Sequence, residues 1–366
     1  MPDMHTDPEQ QKRIQSIDYF RSLAIIAVIL LHTNPFEYAA VDLMNGRRTS
    51  LLLGIMGMFI RYITSAAIPF FFVVAGFFLH KKIMASTGPG KVLVRYLRRL
   101  SVVFLFWVFI FYAVPASDMF DFIRQNGYFS YFCDVQYYWE HPIEVLLTGG
   151  ANHLWFIPAL MISASFVALL ATRNKEYFLL PMVVSFFCVQ FIAKTNNYSS
   201  LGASVNIVLA AAAKEMGNAP LTSYLLAPLF VYIGWCLAKR TVFDIRQAIV
   251  IICAGIVISV LEIAYITVQY GTLPDELFGI VPFATGIVML GLAVPGFGEG
   301  RTLTKYGRLT LGIYGIHYLF IVHLRPFTTW FQHPFIDIIY PVTVYALSLG
   351  FALVFSKNRW LRHLVA

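Results

Sequence analysis

Asp18-Tyr-Phe-Arg21-Ser-Leu-Ala-Ile-Ile-Ala-Val-Ile-Leu-Leu-His32 decides how this chain is read, because an acid, a guanidinium and an imidazole are set into one apolar segment. His32 lies eleven positions after Arg21. At ~100° per residue that step returns to within about 20° of the same helix face, with a rise of roughly 16 Å. Both side chains therefore look into one groove. Ionisable groups in a membrane-length apolar segment are costly to bury, so they face a protein interior or a wet cavity and mark a functional site. The spacing is equally compatible with Arg21 as an interfacial anchor and His32 as the opposite interfacial end.

The rest of the chain agrees that this segment lies in a membrane. Of 366 residues, 58% are hydrophobic and 13% charged, and the mean hydropathy is +0.70. No ordinary water-soluble domain has this composition. The 33 Phe and 20 Tyr suit rings packed between helices and at both interfaces. The polar run Met1 to Arg13 has no small-residue cleavage site behind a short apolar core, so the first apolar stretch is expected to stay in the membrane. The net charge of +8 sits in short loops between apolar runs, which is a topology signal and argues against nucleic acid as a partner. Cys133, Cys188, Cys236 and Cys253 show no metal-ligand spacing, so no disulfide framework and no metal site are expected.

Read in order, helix 1 is expected over Ile17–Thr33. An amphipathic or half helix follows in the region from Ser50, then helix 2 over Ile68–Leu79 with Pro69 in its first turn, where a missing N–H does little harm. The segment His80 to Arg99 has six bases and no acid, which makes it a cytoplasmic loop before helix 3, Leu100–Val114. The acidic stretch Ser117 to Gly150 is read as external. Further helices are expected near His153–Thr172, Phe178–Ala193, Leu225–Leu237, Ala248–Val268, Phe278–Val294, Leu309–Leu324 and Ile336–Phe355. The result is an all-α, polytopic integral membrane protein of about ten transmembrane helices with both termini cytoplasmic. Residues 1–16 form a cytoplasmic N-terminal segment, 17–356 one transmembrane domain, and 357–366 a cytoplasmic tail.

Several residues beyond helix 1 could carry chemistry. Arg95 and Arg98 share a helix face at i, i+3 and suit phosphate recognition, although the same pair serves equally as a topology determinant touching headgroups. His153-Leu-Trp155-Phe156 sits at a helix mouth, where Trp155 also fits an aromatic belt. Thr310, Tyr314 and His317 make one polar stripe, either an interhelical hydrogen-bonding seam or a pocket wall. Glu262 is a lone carboxylate in an apolar helix and invites comparison with proton-coupled carriers.

Taken in order, these motifs resemble the membrane acyltransferase family 3. They comprise Asp18-x-x-Arg21 with the spacing to His32, Pro69-Phe-Phe-Phe with Ala75-Gly76, Arg95-x-x-Arg98, His153-Leu-Trp-Phe, and Thr310-Leu-Gly-Ile-Tyr314-Gly-Ile-His317. The likeness covers nearly the whole chain and is greatest to the bacterial surface-polysaccharide branch typified by the enterobacterial common antigen O-acetyltransferase. Ala75 stands where the family usually has Ser and removes a hydroxyl, whereas Thr310 replaces the usual Ser and keeps one.

The resemblance implies transfer of an acyl group, commonly acetyl from acetyl-CoA, to a hydroxyl of a glycan or lipid-linked saccharide. It places such a protein, surrounded by membrane lipids, in a bacterial inner (plasma) membrane as a multi-pass enzyme. His32 is then expected to act as general base, Arg21 to hold the donor or screen developing charge, and Asp18 to orient Arg21. Arg95, Arg98 and Arg21 are expected to bind the donor, and His153, Trp155, Tyr314 and His317 to line the acceptor site. His317 or His153 could equally serve as the base. The rival reading is a proton-coupled secondary transporter or flippase, supported by the helix number, Glu262 and the Pro-interrupted helix 2. Neither the acceptor sugar nor an oligomeric state is legible.

Overall fold

The computed structural model describes residues 13–44, 46–114, 142–149, 153–173, 175, 221–270, 277–330 and 334–365. Among them every regular element is helical and no strand occurs. The elements are α1 (Gln15–Thr33), α2 (Glu37–Met44), α3 (Leu51–Ser65), α4 (Ala67–Met84), α5 (Pro89–Ala113), α6 (Pro142–Thr148) and α7 (Phe156–Thr172). After these come α8 (Leu221–Leu237), α9 (Ile245–Tyr270), α10 (Ile280–Ala293), α11 (Thr302–Tyr306), a 3-10 turn at Gly307–Leu309, α12 (Thr310–Trp330), α13 (Pro334–Lys357) and α14 (Arg362–Val365). The expected helix Phe178–Ala193, most of the acidic external stretch, and Cys133 and Cys188 lie outside the described residues. Cys236 is half-buried and Cys253 exposed.

Among the described residues, four stretches are long and apolar enough to cross a bilayer: Gln15–Thr33, Leu51–Met84, Ile245–Ile266 and Pro334–Lys357. With the shorter apolar helices Phe156–Thr172, Tyr224–Leu237 and Ile280–Ala293 they make this a membrane protein. The outer layer is apolar toward its surroundings: on α9, Val257, Leu261 and Val268 are all exposed. That pattern suits hydrocarbon, where the internal hydrogen bonding of a helix satisfies the backbone.

α1 is the axis of the bundle, packed against α3, α4, α10, α11, α12 and α13. Its Ile17, Ile25, Val28 and Ile29 are buried. Polar pins fix its start: Ser16 Oγ donates to the Gly291 carbonyl of α10, and Ser22 Oγ donates to the Leu303 carbonyl of α11 at 2.6 Å. α4 and α8 pack closely along their length. A Cβ at Gly76 would lie 2.0 Å from the Val231 carbonyl oxygen, and one at Gly234 would lie 1.9 Å from the Val73 carbonyl oxygen. Each glycine thus admits the other helix's backbone, the usual device for close packing where lipid tails offer no hydrophobic drive between helices. The Ala75-Gly76 motif accordingly has a packing role at Gly76.

Two sequence readings shift. The segment before Leu100 is not all loop: α5 starts at Pro89, so Arg95, Arg98 and Arg99 lie on its first turns. Gly88-Pro-Gly90 supplies the turn and places Pro at N1, where its lost N–H is harmless. His153 to Trp155 precede α7 in a turn rather than opening the helix.

Candidate active site

A cavity of about 1240 Å³ opens at the end of the bundle where α1 begins and α4 ends. Its mouth is strongly basic. Arg13 and Arg21 line it from α1 and the residues before it, Lys81 and Lys82 from α4, and Arg99 from α5. Lys239 and Arg240, just after α8, and Arg308 in the 3-10 turn complete this rim. Asp18 is the one carboxylate among the described lining residues, and it is buried. It pairs with Arg13 and, at 3.6 Å, with Nη1 of Arg21. Asp18 therefore neutralises part of the cluster and holds the Arg21 guanidinium against α1. Arg21 Nε is buried without a hydrogen-bond partner among the described residues, which leaves it a donor to offer.

Further in, the walls turn apolar: Val28 from α1, Ile68, Phe71, Val74 and Ala75 from α4, and Phe156 and Leu160 from α7. Tyr314 of α12 forms part of the floor. Phe156 stands between the two sides, its ring 6.3 Å from that of Phe71, 4.6 Å from Phe72 and 5.5 Å from Tyr314. Such a cavity presents positive charge at its mouth and a dry, aromatic-lined interior.

Immediately past this floor lie three histidines that the cavity does not reach. His32 ends α1 with its ring 5.4 Å from His317 of α12, and His153 lies 5.2 Å from His317 on another side. Tyr318 is edge-on to His32 at 5.6 Å and stacked on His153 at 4.8 Å. His153 and His317 are buried, while His32 is partly open. No group of three side chains placed to hold a metal ion occurs among the described residues.

Backbone carbonyls set the tautomers. His317 Nδ1 lies 2.6 Å from the Tyr314 carbonyl, and His153 Nε2 lies 3.3 Å from the Gly315 carbonyl. A carbonyl can only accept, so Nδ1 of His317 and Nε2 of His153 carry the hydrogens. In the neutral rings the other nitrogens, His317 Nε2 and His153 Nδ1, present lone pairs, and both are buried without partners among the described residues. The Tyr314 hydroxyl donates to the His153 carbonyl. Trp107 of α5 lies flat on Gly315, where a Cβ would come within 1.9 Å of the indole, so this glycine lets α12 seat the cluster.

The structure thus gathers His32, His153, Tyr314 and His317 from three separate stretches, and Asp18 with Arg21 nearer the mouth. Arg95 and Arg98 are exposed and outside the cavity lining, whereas Arg99, one residue on, lines it. Trp155 is half-buried against Phe72 and Tyr224, and Tyr224 donates to the Leu147 and Trp155 carbonyls. Sequence reasoning missed Lys82, Arg99, Lys239 and Arg240 as cavity residues because it read them as topology charges. It gave no signal for Tyr318. Glu262 accepts from the Phe278 N–H at 2.8 Å, two residues before α10 begins.

Residues 14–357 match the acyltransferase 3 family, described as an acyltransferase domain. A curated relative from Enterococcus faecalis, named amino-acid racemase, is 23% identical over 225 residues. That match covers 60% of this chain and 27% of the relative, so the chain spans about a quarter of the racemase's length. No solved structure matches.

Proposed function

Since this chain belongs to the acyltransferase 3 family over nearly its whole length, we propose that it is an O-acyltransferase which moves an acyl group, acetyl from acetyl-CoA, onto a hydroxyl of a cell-surface glycan or lipid-linked saccharide. It would work in a bacterial inner membrane with about ten spans and both termini inside. The observation that carries the reading is the cavity: basic at the rim, apolar within, and ending next to a histidine cluster. Coenzyme A is a polyanion on a long flexible arm. Its phosphates suit the rim of Lys82, Arg99, Lys239 and Arg240, which the positive-inside rule puts on the cytosolic side. The arm suits the dry shaft beyond Arg21.

In this reading the acceptor hydroxyl attacks the thioester carbonyl. His32 takes the hydroxyl proton as the oxygen–carbon bond forms, the carbon–sulfur bond breaks, and the departing thiolate recovers the proton. Arg21, fixed by Asp18 about three turns nearer the mouth than His32, offers its guanidinium to the donor on its way in. His32 is the partly open member of the histidine group, which suits contact with an incoming hydroxyl. No metal enters the scheme. The relative's name carries no activity to this chain, because the match leaves most of that protein uncovered.

The carrier reading loses its main support if Glu262 is structural, as its bond to the α10 approach argues. Purified protein in nanodiscs, given radiolabelled acetyl-CoA and a glycan extract, should release CoA and label the glycan. Arg21→Ala and His32→Ala should each abolish both signals while the protein still folds. Thioester left untouched by folded wild-type protein would sink the acyltransferase reading and favour transport.

A further inference from the structure

The histidine cluster contains more than one base needs, and its geometry gives the surplus a role. A general base that accepts a proton on one imidazole nitrogen carries a hydrogen on the other, and inside a membrane bundle that second N–H needs an acceptor. His32 ends α1 beside His317, with ring centroids 5.4 Å apart and the planes inclined by 42°. His317 donates its Nδ1–H to the Tyr314 carbonyl at 2.6 Å, which fixes its tautomer and leaves Nε2 as a lone pair. That Nε2 is fully buried and has no partner among the described residues. An unsatisfied acceptor at this depth is costly and calls for an explanation.

We propose that His317 is the positioning residue for His32: the adjacent rings are not hydrogen-bonded in this structure, and a turn of the His32 side chain as the acceptor enters brings its spare N–H onto His317 Nε2, with the opposite nitrogen, unprotonated, toward the acceptor hydroxyl. The assignment rests on the acyltransferase reading. As His32 takes the hydroxyl proton and becomes cationic, the bond to His317 becomes charge-assisted and strengthens at the step where charge develops. No proton has to pass to His317. The proton goes from the acceptor oxygen to His32 and then to the thiolate of the departing CoA.

Three contacts make His317 rather than His153 the partner. His153 gives its Nε2–H to the Gly315 carbonyl, its ring stacks on Tyr318, and its described imidazole contact is with His317 rather than His32. Tyr318 packs edge-on against His32, with ring centroids 5.6 Å apart. The tautomer of His317 is set by backbone, so no side-chain movement elsewhere can switch it. An imidazole held this way serves the purpose that a carboxylate serves behind a catalytic histidine, at lower desolvation cost, because it is neutral.

Two substitutions at one position separate this role from packing. Gln at 317 places an amide oxygen near the site of Nε2 and preserves an acceptor; Leu fills similar space without one. His317→Leu should lower kcat for acyl transfer by about 10²-fold or more while leaving KM for the thioester within about threefold, and His317→Gln should restore most of the loss. Equal losses in the two variants, or a His317→Leu enzyme with near-normal kcat, would overturn the assignment. Histidine 15N spectra of the wild-type protein give a readout that no variant needs to fold for: His317 should carry its hydrogen on Nδ1 with Nε2 bare, and that bare nitrogen should become hydrogen-bonded when the glycan acceptor is added. A protonated Nε2 at neutral pH overturns the assignment. Wild-type protein that consumes no acetyl-CoA overturns the acyltransferase reading and this assignment with it; wild-type turnover unchanged by His317→Leu overturns this assignment alone.

Discussion

Tyr314→Phe removes one hydroxyl and tests whether that hydroxyl holds the site together or binds substrate. The Tyr314 hydroxyl donates to the His153 carbonyl, across 161 positions of sequence, and ties α12 to the turn that carries the second histidine. The ring itself is untouched by the substitution: it keeps its place against Phe156, 5.5 Å between centroids, as part of the cavity floor. What is lost is a donor to a buried carbonyl. Leaving such an acceptor unmatched costs about 1–3 kcal/mol. If the whole loss is felt in the transition state, because the His153 turn and the histidines seated on it are held less firmly, the rate falls by about five- to 150-fold. If ground state and transition state lose equally, the effect moves into stability and kcat is spared. Steady-state turnover of acetyl-CoA with glycan acceptor, together with a thermal unfolding midpoint in the same nanodiscs, separates the two. The expected result is a kcat loss in that range, an unchanged KM for the thioester, and a lowered midpoint. A raised KM for the thioester with normal kcat would mean that the hydroxyl contacts the donor. No change in any of the three would refute the bond's importance.

Two other outcomes follow from the same geometry. Lys82→Gln and Arg99→Gln, each removing one cation from the cavity rim, should each raise KM for acetyl-CoA by about fivefold at low salt, roughly 1 kcal/mol, with the difference shrinking as salt is added. Arg98→Gln, on the same helix but outside the lining, should do less, and a larger effect there than at Arg99 would show that the phosphates lie outside this cavity. Glu262→Gln, which retains an oxygen to accept from the Phe278 N–H, should leave acyl transfer within about twofold of wild type; a proton-dependent solute uptake lost in this variant would instead support a carrier.

The membrane class, the all-helical architecture and the importance of α1 are legible in the sequence because each is a local property. Hydrophobic runs of bilayer length, charge in short loops, and an 11-residue step that restores a helix face need no knowledge of neighbours. The tie from Asp18 to Arg21 is likewise one helical turn and was readable as such. Tertiary structure alone decides what those groups meet. A basic residue near a helix end has the same local signature whether it touches headgroups or turns into a cavity, so nothing in Arg95, Arg98 and Arg99 tells which one lines the shaft. The start of α5 at Pro89 was masked by the same charges, which read as loop although they ride on a helix.

The histidine cluster shows the limit most plainly. His32, His153 and His317 stand far apart in the chain and meet because Gly315 lets Trp107 lie against α12, and because α1 runs down the centre of the bundle. Their tautomers are fixed by carbonyls of Tyr314 and Gly315, groups that every residue possesses and no sequence pattern distinguishes. The sequence by itself therefore determined which side chains were costly enough in a membrane to need a purpose. Only the packing of the helices decided which of them face one another, since that depends on distances between segments that local propensity does not encode.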